Sequence, residues 1–270
     1  MHVSNAFRKL GLFAMFCATL GTLSSCSDDT TTEPSLAGSY YSAKQDVGNG
    51  SARAYVTLDE DGTPTEVGIK MTEDALEGLP EEVPGGLPSQ VFTFEFPVEA
   101  DQTVFNYMTL DWNPHGHEPD DIFTTPHFDF HFYMMSQAEV AAINPADADF
   151  GTKAANLPAE QYIPEGYITP SPVEAVPMMG VHWLEATGIP APGTFTEVFI
   201  YGSWDGSFTF MEPMITLAHL KSKTALTEDI KLPQAYQHNG YHPTTYTISF
   251  DESTKEYVIA LGGMTMRQAS

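Results

Sequence analysis

Hydrophobic and polar residues alternate along much of this chain. Residues 53–59 and 65–71 carry the period of two that sends successive side chains to opposite faces of a strand. Glu60-Asp61-Gly62-Thr63-Pro64 between them supplies turn chemistry, so the pair reads as a hairpin. The same pattern predicts strands over 91–97 and 104–112. It also predicts a hairpin over 195–201 and 207–212 around Gly202-Ser203-Trp204-Asp205-Gly206, and a last one over 244–250 and 256–261. Helical signals are few. One lies at 72–77, stopped by Gly78, and one at 136–143, where Ser136 and Glu139 fit a capping box. Residues 79–90 form a Pro- and Gly-rich loop, and 144–176 are Pro-rich and irregular. The pattern predicts a mainly β domain over residues 37–270, an antiparallel barrel or sandwich with a few short helices.

The cleanest alternation is residues 127–133. His127, Asp129, His131 and Tyr133 share one face, and Phe128, Phe130 and Phe132 share the other. Three phenylalanines in register predict a buried face, which leaves a His-Asp-His-Tyr row on a rigid element. The surrounding stretch, 111–135, holds four of the chain's nine histidines and five carboxylates: Asp111, Glu118, Asp120, Asp121 and Asp129. His115-Gly116-His117 lies in a loop bounded by Asn113-Pro114 and Glu118-Pro119. Such a cluster predicts a metal or catalytic site; a buried polar network, or surface histidines, is the alternative. Strand geometry limits it. Positions two apart are about 6.7 Å apart and positions four apart about 13 Å, so Asp129 can share an ion with either histidine, while His127 and His131 have different roles.

Two later positions extend the donor set. His182 stands in Pro177-Met178-Met179-Gly180-Val181-His182-Trp183, and Glu212 lies in line with Phe208 and Phe210 on a predicted strand. A glutamate buried there needs a partner; an exposed strand end beside Pro213 is the alternative. The expected metal ligands are therefore His115, His117, His127, His131, His182 and Glu212, with Asp129 or Glu118 as a base. His219, His238 and His242 are scattered and read as structural or surface groups.

The N-terminal segment looks like an export signal. Arg8 and Lys9 precede an apolar run over 10–20, and Leu23-Ser24-Ser25-Cys26 resembles a bacterial lipobox. That resemblance implies a lipoprotein signal peptide over 1–25, several acyl chains on Cys26, and stable membrane anchoring through them. An ordinary secretory signal is the alternative. Residues 26–36 read as a polar tether. Asp28-Asp29 resembles a surface-export tag of some Bacteroidetes lipoproteins, so the expected location is the cell envelope, at the outer membrane or the cell surface.

Charge and cysteine content narrow the function. The formal net charge is −25, and without Arg8 and Lys9 it becomes −27. That balance excludes nucleic acid as a partner, since its binding depends on neutralising phosphates with Lys and Arg. With Cys17 removed and Cys26 acylated, no disulfide and no thiolate ligand remain. A divalent transition metal would then be held by imidazole, carboxylate or methionine. Neither a G-x-S-x-G turn nor a phosphate loop nor a dinucleotide fingerprint occurs.

Five segments in order, NPHGHEP, PHFDFHFY, MGVHW, FIYGSWDG and EPMIT, span about Asn113 to Thr216. Together they resemble a domain-of-unknown-function family of exported bacterial proteins. The resemblance implies an extracytoplasmic β-rich domain and no assigned reaction. A looser similarity is to the cupins, which place HxH and a glutamate on a β-barrel to hold a metal. Here Glu118 follows His117 directly, whereas the cupin glutamate comes several residues later. The leading expectation is a lipid-anchored metal-binding protein, with metal-dependent catalysis compatible with it. The other is a non-enzymatic ligand-binding or assembly module, a homo-oligomer included, with Trp112, Trp183 and Trp204 as platforms for a small-molecule or glycan ligand.

Overall fold

A computed structural model describes residues 35–83 and 89–270. The signal segment, Cys26 and the first part of the tether lie outside the described residues, as do 84–88 of the Pro- and Gly-rich loop. The chain opens with β1 (Gly38–Tyr41), β2 (Gln45–Val47), β3 (Gly50–Leu58) and β4 (Pro64–Thr72). It then crosses to β5 (Gln90–Glu95), β6 (Tyr107–Asn113) and β7 (His127–Tyr133). Two short helices follow, α1 (Gln137–Ala141) and α2 (Phe150–Ala155). Next come β8 (Tyr167–Ile168), β9 (Val181–Glu185), β10 (Glu197–Trp204) and β11 (Ser207–Thr216), then α3 (Leu217–Ser222). The chain ends with β12 (Leu226–Asp229), β13 (Gly240–His242), β14 (Thr245–Asp251), β15 (Glu256–Gly262) and β16 (Thr265–Arg267).

These strands form two seven-stranded antiparallel sheets. One runs β1-β3-β4-β15-β14-β12, with β2 also on β3; the other runs β5-β6-β7-β11-β10-β9-β8. Both orders are open, and β13 and β16 form a separate pair. The architecture is therefore sandwich-like, and neither sheet closes into a barrel. Its core joins the inner faces of the two sheets. Val56, Ile69, Ile259 and Leu261 come from the first, and Met108, Leu110, Phe128, Phe130 and Phe132 from the second. All three phenylalanines are fully buried, as their alternation predicts. The predicted capping box is present at the start of α1: the Ser136 hydroxyl accepts from the Glu139 N–H, and Glu139 accepts from the Ser136 N–H.

Some boundaries differ from the sequence pattern, each for a local reason. The 195–212 hairpin turns at Asp205-Gly206 alone, where both residues have positive φ (47° and 85°), the geometry of a tight hairpin turn. Gly202 and Ser203 thus belong to β10. The register between β10 and β11 slips by one residue between Gly202 and Ser203, from Gly202 opposite Phe210 to Ser203 opposite Phe208. An inserted residue of this kind reverses the faces on either side of it. Phe208 accordingly packs against Trp183 and Tyr201 in the main core, while Phe210 lies on the opposite face against His131 and Tyr133. The expectation that Phe208 shares a face with Phe210 and Glu212 fails for this reason. Nor is Glu212 at a strand end, because β11 continues through Pro213 to Thr216. Pro213 has no N–H to donate. The β7–β11 ladder holds at Phe210 and Met211, is interrupted at Glu212 and Pro213, and resumes at Met214.

Candidate metal centre

The outer face of the second sheet is polar where a sandwich normally meets water, yet here it is buried. β6 contributes Thr109, Asp111 and Asn113, β7 contributes His127, Asp129 and His131, and β11 contributes Glu212 and Thr216, every one of them buried. Register explains the assembly: Asp111 pairs with Asp129, Thr109 with His131 and Asn113 with His127. Two small apolar clusters flank this polar strip. Tyr107, Tyr133, Val140 and Phe210 form one, and Phe123, Phe195, Ile200 and Met214 the other.

Within the strip, the histidines and acids gather into two groups. His117, His127 and Asp129 form the first, and His131, His182 and Glu212 the second; within each, one ligand atom per residue lies within 4.8 Å of the others. His117 reaches the first group from the loop after β6. Gly116 makes this approach feasible: it has φ of 69°, and a Cβ there would sit 2.0 Å from the Phe123 carbonyl oxygen. The Phe123 carbonyl in turn accepts from the His117 N–H at 3.1 Å.

The imidazoles of the first group are fixed from behind. His127 Nδ1 donates to the Thr125 carbonyl at 2.6 Å, and His117 Nδ1 donates to the Glu118 carbonyl at 2.7 Å. With both Nδ1 protons committed, both Nε2 atoms turn to Asp129. His127 Nε2 is 3.1 Å from Oδ1, and His117 Nε2 is 3.5 Å from Oδ2. Asn113 Nδ2 donates to Oδ2 at 2.8 Å and holds the carboxylate in place. His127 Nε2 and Asp129 Oδ1 are buried and have no hydrogen-bond partner. A charge-assisted N–H···O bond would bring such atoms to about 2.7–2.9 Å. Two donors each about 2.05 Å from a tetrahedral ion stand about 3.3 Å apart. The observed 3.1 and 3.5 Å bracket that second value.

In the second group His131 Nε2 is 3.5 Å from Glu212 Oε1, and His182 Nε2 is 3.7 Å from Glu212 Oε2. On its other side His131 Nδ1 meets Thr109 Oγ1 at 3.4 Å and Asp111 Oδ2 at 3.6 Å. His131 Nε2, Glu212 Oε2 and Asp111 Oδ1 are buried without partners. The His131 ring stacks on Tyr133 with 14° between planes and meets the edge of Phe210 at 4.8 Å. Electrostatics follow from burial. Burial lowers His131 to about 3, against the pull of Asp129, and lowers His182 to about 4. Burial, and then Asp129, push the Asp111 and Glu212 carboxyls well above the usual range. Burial would also raise Asp129, but His127 and His117 reverse the sign and hold it well below that range. His117, by contrast, is raised: burial lowers it, but Asp129 outweighs that.

The predicted residues thus divide. The structure brings His117, His127 and Asp129 together, and separately His131, His182 and Glu212. His127 and His131 fall in different groups, in keeping with their spacing. The side chains of His115 and Glu118 are exposed and belong to neither group. Glu118 acts through its backbone carbonyl instead. Asp111 and Asn113 were absent from the expected set, although the alternation of Thr109, Asp111 and Asn113 along β6 was visible in the sequence. Trp112 and Trp183 are buried, their ring N–H groups bonded to the Pro80 carbonyl and the Ser203 hydroxyl, and Trp204 packs on Phe150. These three do not form an exposed row. A cavity of about 210 Å³ lined by Tyr167, Glu185, Glu197, Glu228, Lys231 and Tyr246 contains none of the clustered donors. Solvent reaches the two groups at His117 and His182, whose side chains are 31% and 21% exposed.

Fold and site together define an antiparallel β-sandwich that buries two His/carboxylate groups able to hold a metal ion on one sheet face. Comparison with known families places residues 59–112 as similar to the family described as TTHB210-like, Hypothetical protein TTHB210. The match covers β4 to β6 and ends before every candidate histidine. No curated protein and no solved structure matches the chain.

Proposed function

We propose that this protein is an exported, lipid-anchored binder of a divalent transition metal, held by His117 Nε2, His127 Nε2 and Asp129. One observation carries the metal assignment: both imidazoles give Nδ1 to backbone carbonyls and aim Nε2 at one carboxylate. Metal-ligating histidines are oriented in this way, by a carbonyl on the far nitrogen. Two nitrogens and one oxygen suit zinc and iron(II) better than calcium or magnesium, which take oxygen ligands. Three protein donors leave a coordination position free, the arrangement of catalytic rather than structural sites. Such an ion supplies a Lewis acid and lowers the pKa of bound water. Asp129 serves as a ligand here, and its Oδ2 is positioned by Asn113. Export and anchoring are supported by the basic flank, the apolar run and Leu23-Ser24-Ser25-Cys26.

Metal-free protein reloaded with zinc and desalted should retain zinc, and His127→Ala should retain one equivalent less. Equal retention by wild type and His127→Ala would remove the site. Intact mass spectrometry of membrane-extracted protein should find acyl chains on Cys26; an unmodified Cys26 would remove the anchor.

A further inference from the structure

We infer that His131, His182 and Glu212 form a second transition-metal site, on the same sheet face and independent of the first. No donor is shared between the two groups, so this site does not depend on the first. The strongest support is Glu212. Its side chain is 2% exposed, it accepts no hydrogen bond among the described residues, and its Oε2 has no partner. A carboxyl buried in this state is costly whether ionised or neutral. His131 Nε2 faces it at 3.5 Å and is equally unsatisfied. Both separations from Glu212, 3.5 and 3.7 Å, are too long for a good hydrogen bond. Both lie close to the spacing of about 3.3 Å for neighbouring donors on a tetrahedral ion.

The surroundings fit the same assignment. Asp111 and Thr109 stand behind His131 at Nδ1, where a carboxylate commonly orients a ligating imidazole, and Nε2 points to the ligand side. Phe210 and Tyr133 clamp the ring. His182 enters from β9 because it lies opposite Gly202, where a Cβ would be 2.0 Å from the Phe210 ring. The interrupted β7–β11 ladder at Pro213 falls beside Glu212. Charge points the same way. Asp111, Asp129 and Glu212 are three buried carboxylates, and among the described residues no Lys or Arg pairs with any of them. A cation at the second group would supply a positive charge that no Lys or Arg of the described residues supplies there. The carriers Asp129 and His131 are about 6.7 Å apart along β7. They are alternate residues on one face of that strand, and no donor is common to the two groups, so these are neighbouring sites without a shared bridging ligand.

The test is zinc titration of the metal-free full chain, with bound zinc counted by elemental analysis after desalting. Wild type should bind two equivalents. Glu212→Gln and His182→Ala should each bind one, His127→Ala should bind one, and His127→Ala combined with Glu212→Gln none. Circular dichroism checks the fold of each variant; if Glu212→Gln unfolds, His182→Ala at the solvent rim decides. A single equivalent lost in Glu212→Gln or His182→Ala but kept in His127→Ala supports the second site and sinks the first. A stoichiometry unchanged by both Glu212→Gln and His182→Ala overturns the second site, and no binding at all overturns both.

Discussion

Asp129 is the residue on which both histidines of the first group converge. It is buried on a central strand, and its two oxygens have different tasks: Oδ1 faces His127 without a hydrogen bond, and Oδ2 accepts from Asn113. This division separates ligand from support. Asn113→Ala removes only the bond to Oδ2, so zinc affinity should fall by about 10–100-fold, the usual effect of losing a group that orients a ligand. Asp129→Asn keeps the shape but removes the charged oxygen, and should weaken binding further than Asn113→Ala. Competition titration against a chromophoric chelator measures both. Equal affinities for the two variants would mean that Asp129 is not a ligand. Selection between neighbouring histidines was not legible at this scale. His115 and His117 flank one glycine, and across Gly116, with its φ of 69°, one lies inward and the other in solvent.

At the scale of elements, β7 carries the molecule's two principal faces back to back. Its phenylalanine face fills the space between the sheets, and its polar face supplies donors to both groups. Phe130→Ala should destabilise the protein by about 3–5 kcal/mol, as expected for a fully buried aromatic, while leaving zinc affinity of the folded chain unchanged. Phe210→Ala should do both kinds of damage, since the ring touches His131 and His182 at 4.8 and 5.4 Å. Urea unfolding and zinc titration separate the two effects; a Phe130→Ala variant that folds normally but loses zinc would contradict this separation of faces. The strand was readable because an alternation of seven residues fixes both the element and its faces. The extra residue in β11 was not, because a bulge is set by pairing with β10 and leaves no mark in a single strand's pattern. Likewise, Pro213 looked like a terminator, and its place inside a central strand is decided by the partners on either side.

The whole molecule joins donors that the sequence keeps far apart. His117 meets Asp129 across the turn-rich 114–126 connection, and His182 meets Glu212 only because β9, β10 and β11 lie side by side. Periodicity supplies each strand but not their order, so most of the clustered donors were legible, while the separation of His115 from them and their division into two groups were not. The chain also carries a formal net charge of −25, so any cation at high enough concentration will screen its self-repulsion. A stability test must separate that general effect from binding at the clustered donors. A ligand at 100 times its Kd stabilises a folded protein by about 2.7 kcal/mol. For a domain of this size each kcal/mol raises Tm by about 2–4 °C, so zinc should raise it by roughly 5–10 °C for each site it fills. Magnesium at the same concentration carries the same charge but prefers six oxygen ligands, and should shift Tm by much less. A chelator should reverse the zinc effect, and Asp129→Asn combined with Glu212→Gln should abolish most of it. If magnesium stabilises the wild type as strongly as zinc, the cations act on surface charge, and the buried histidines have no part in holding them.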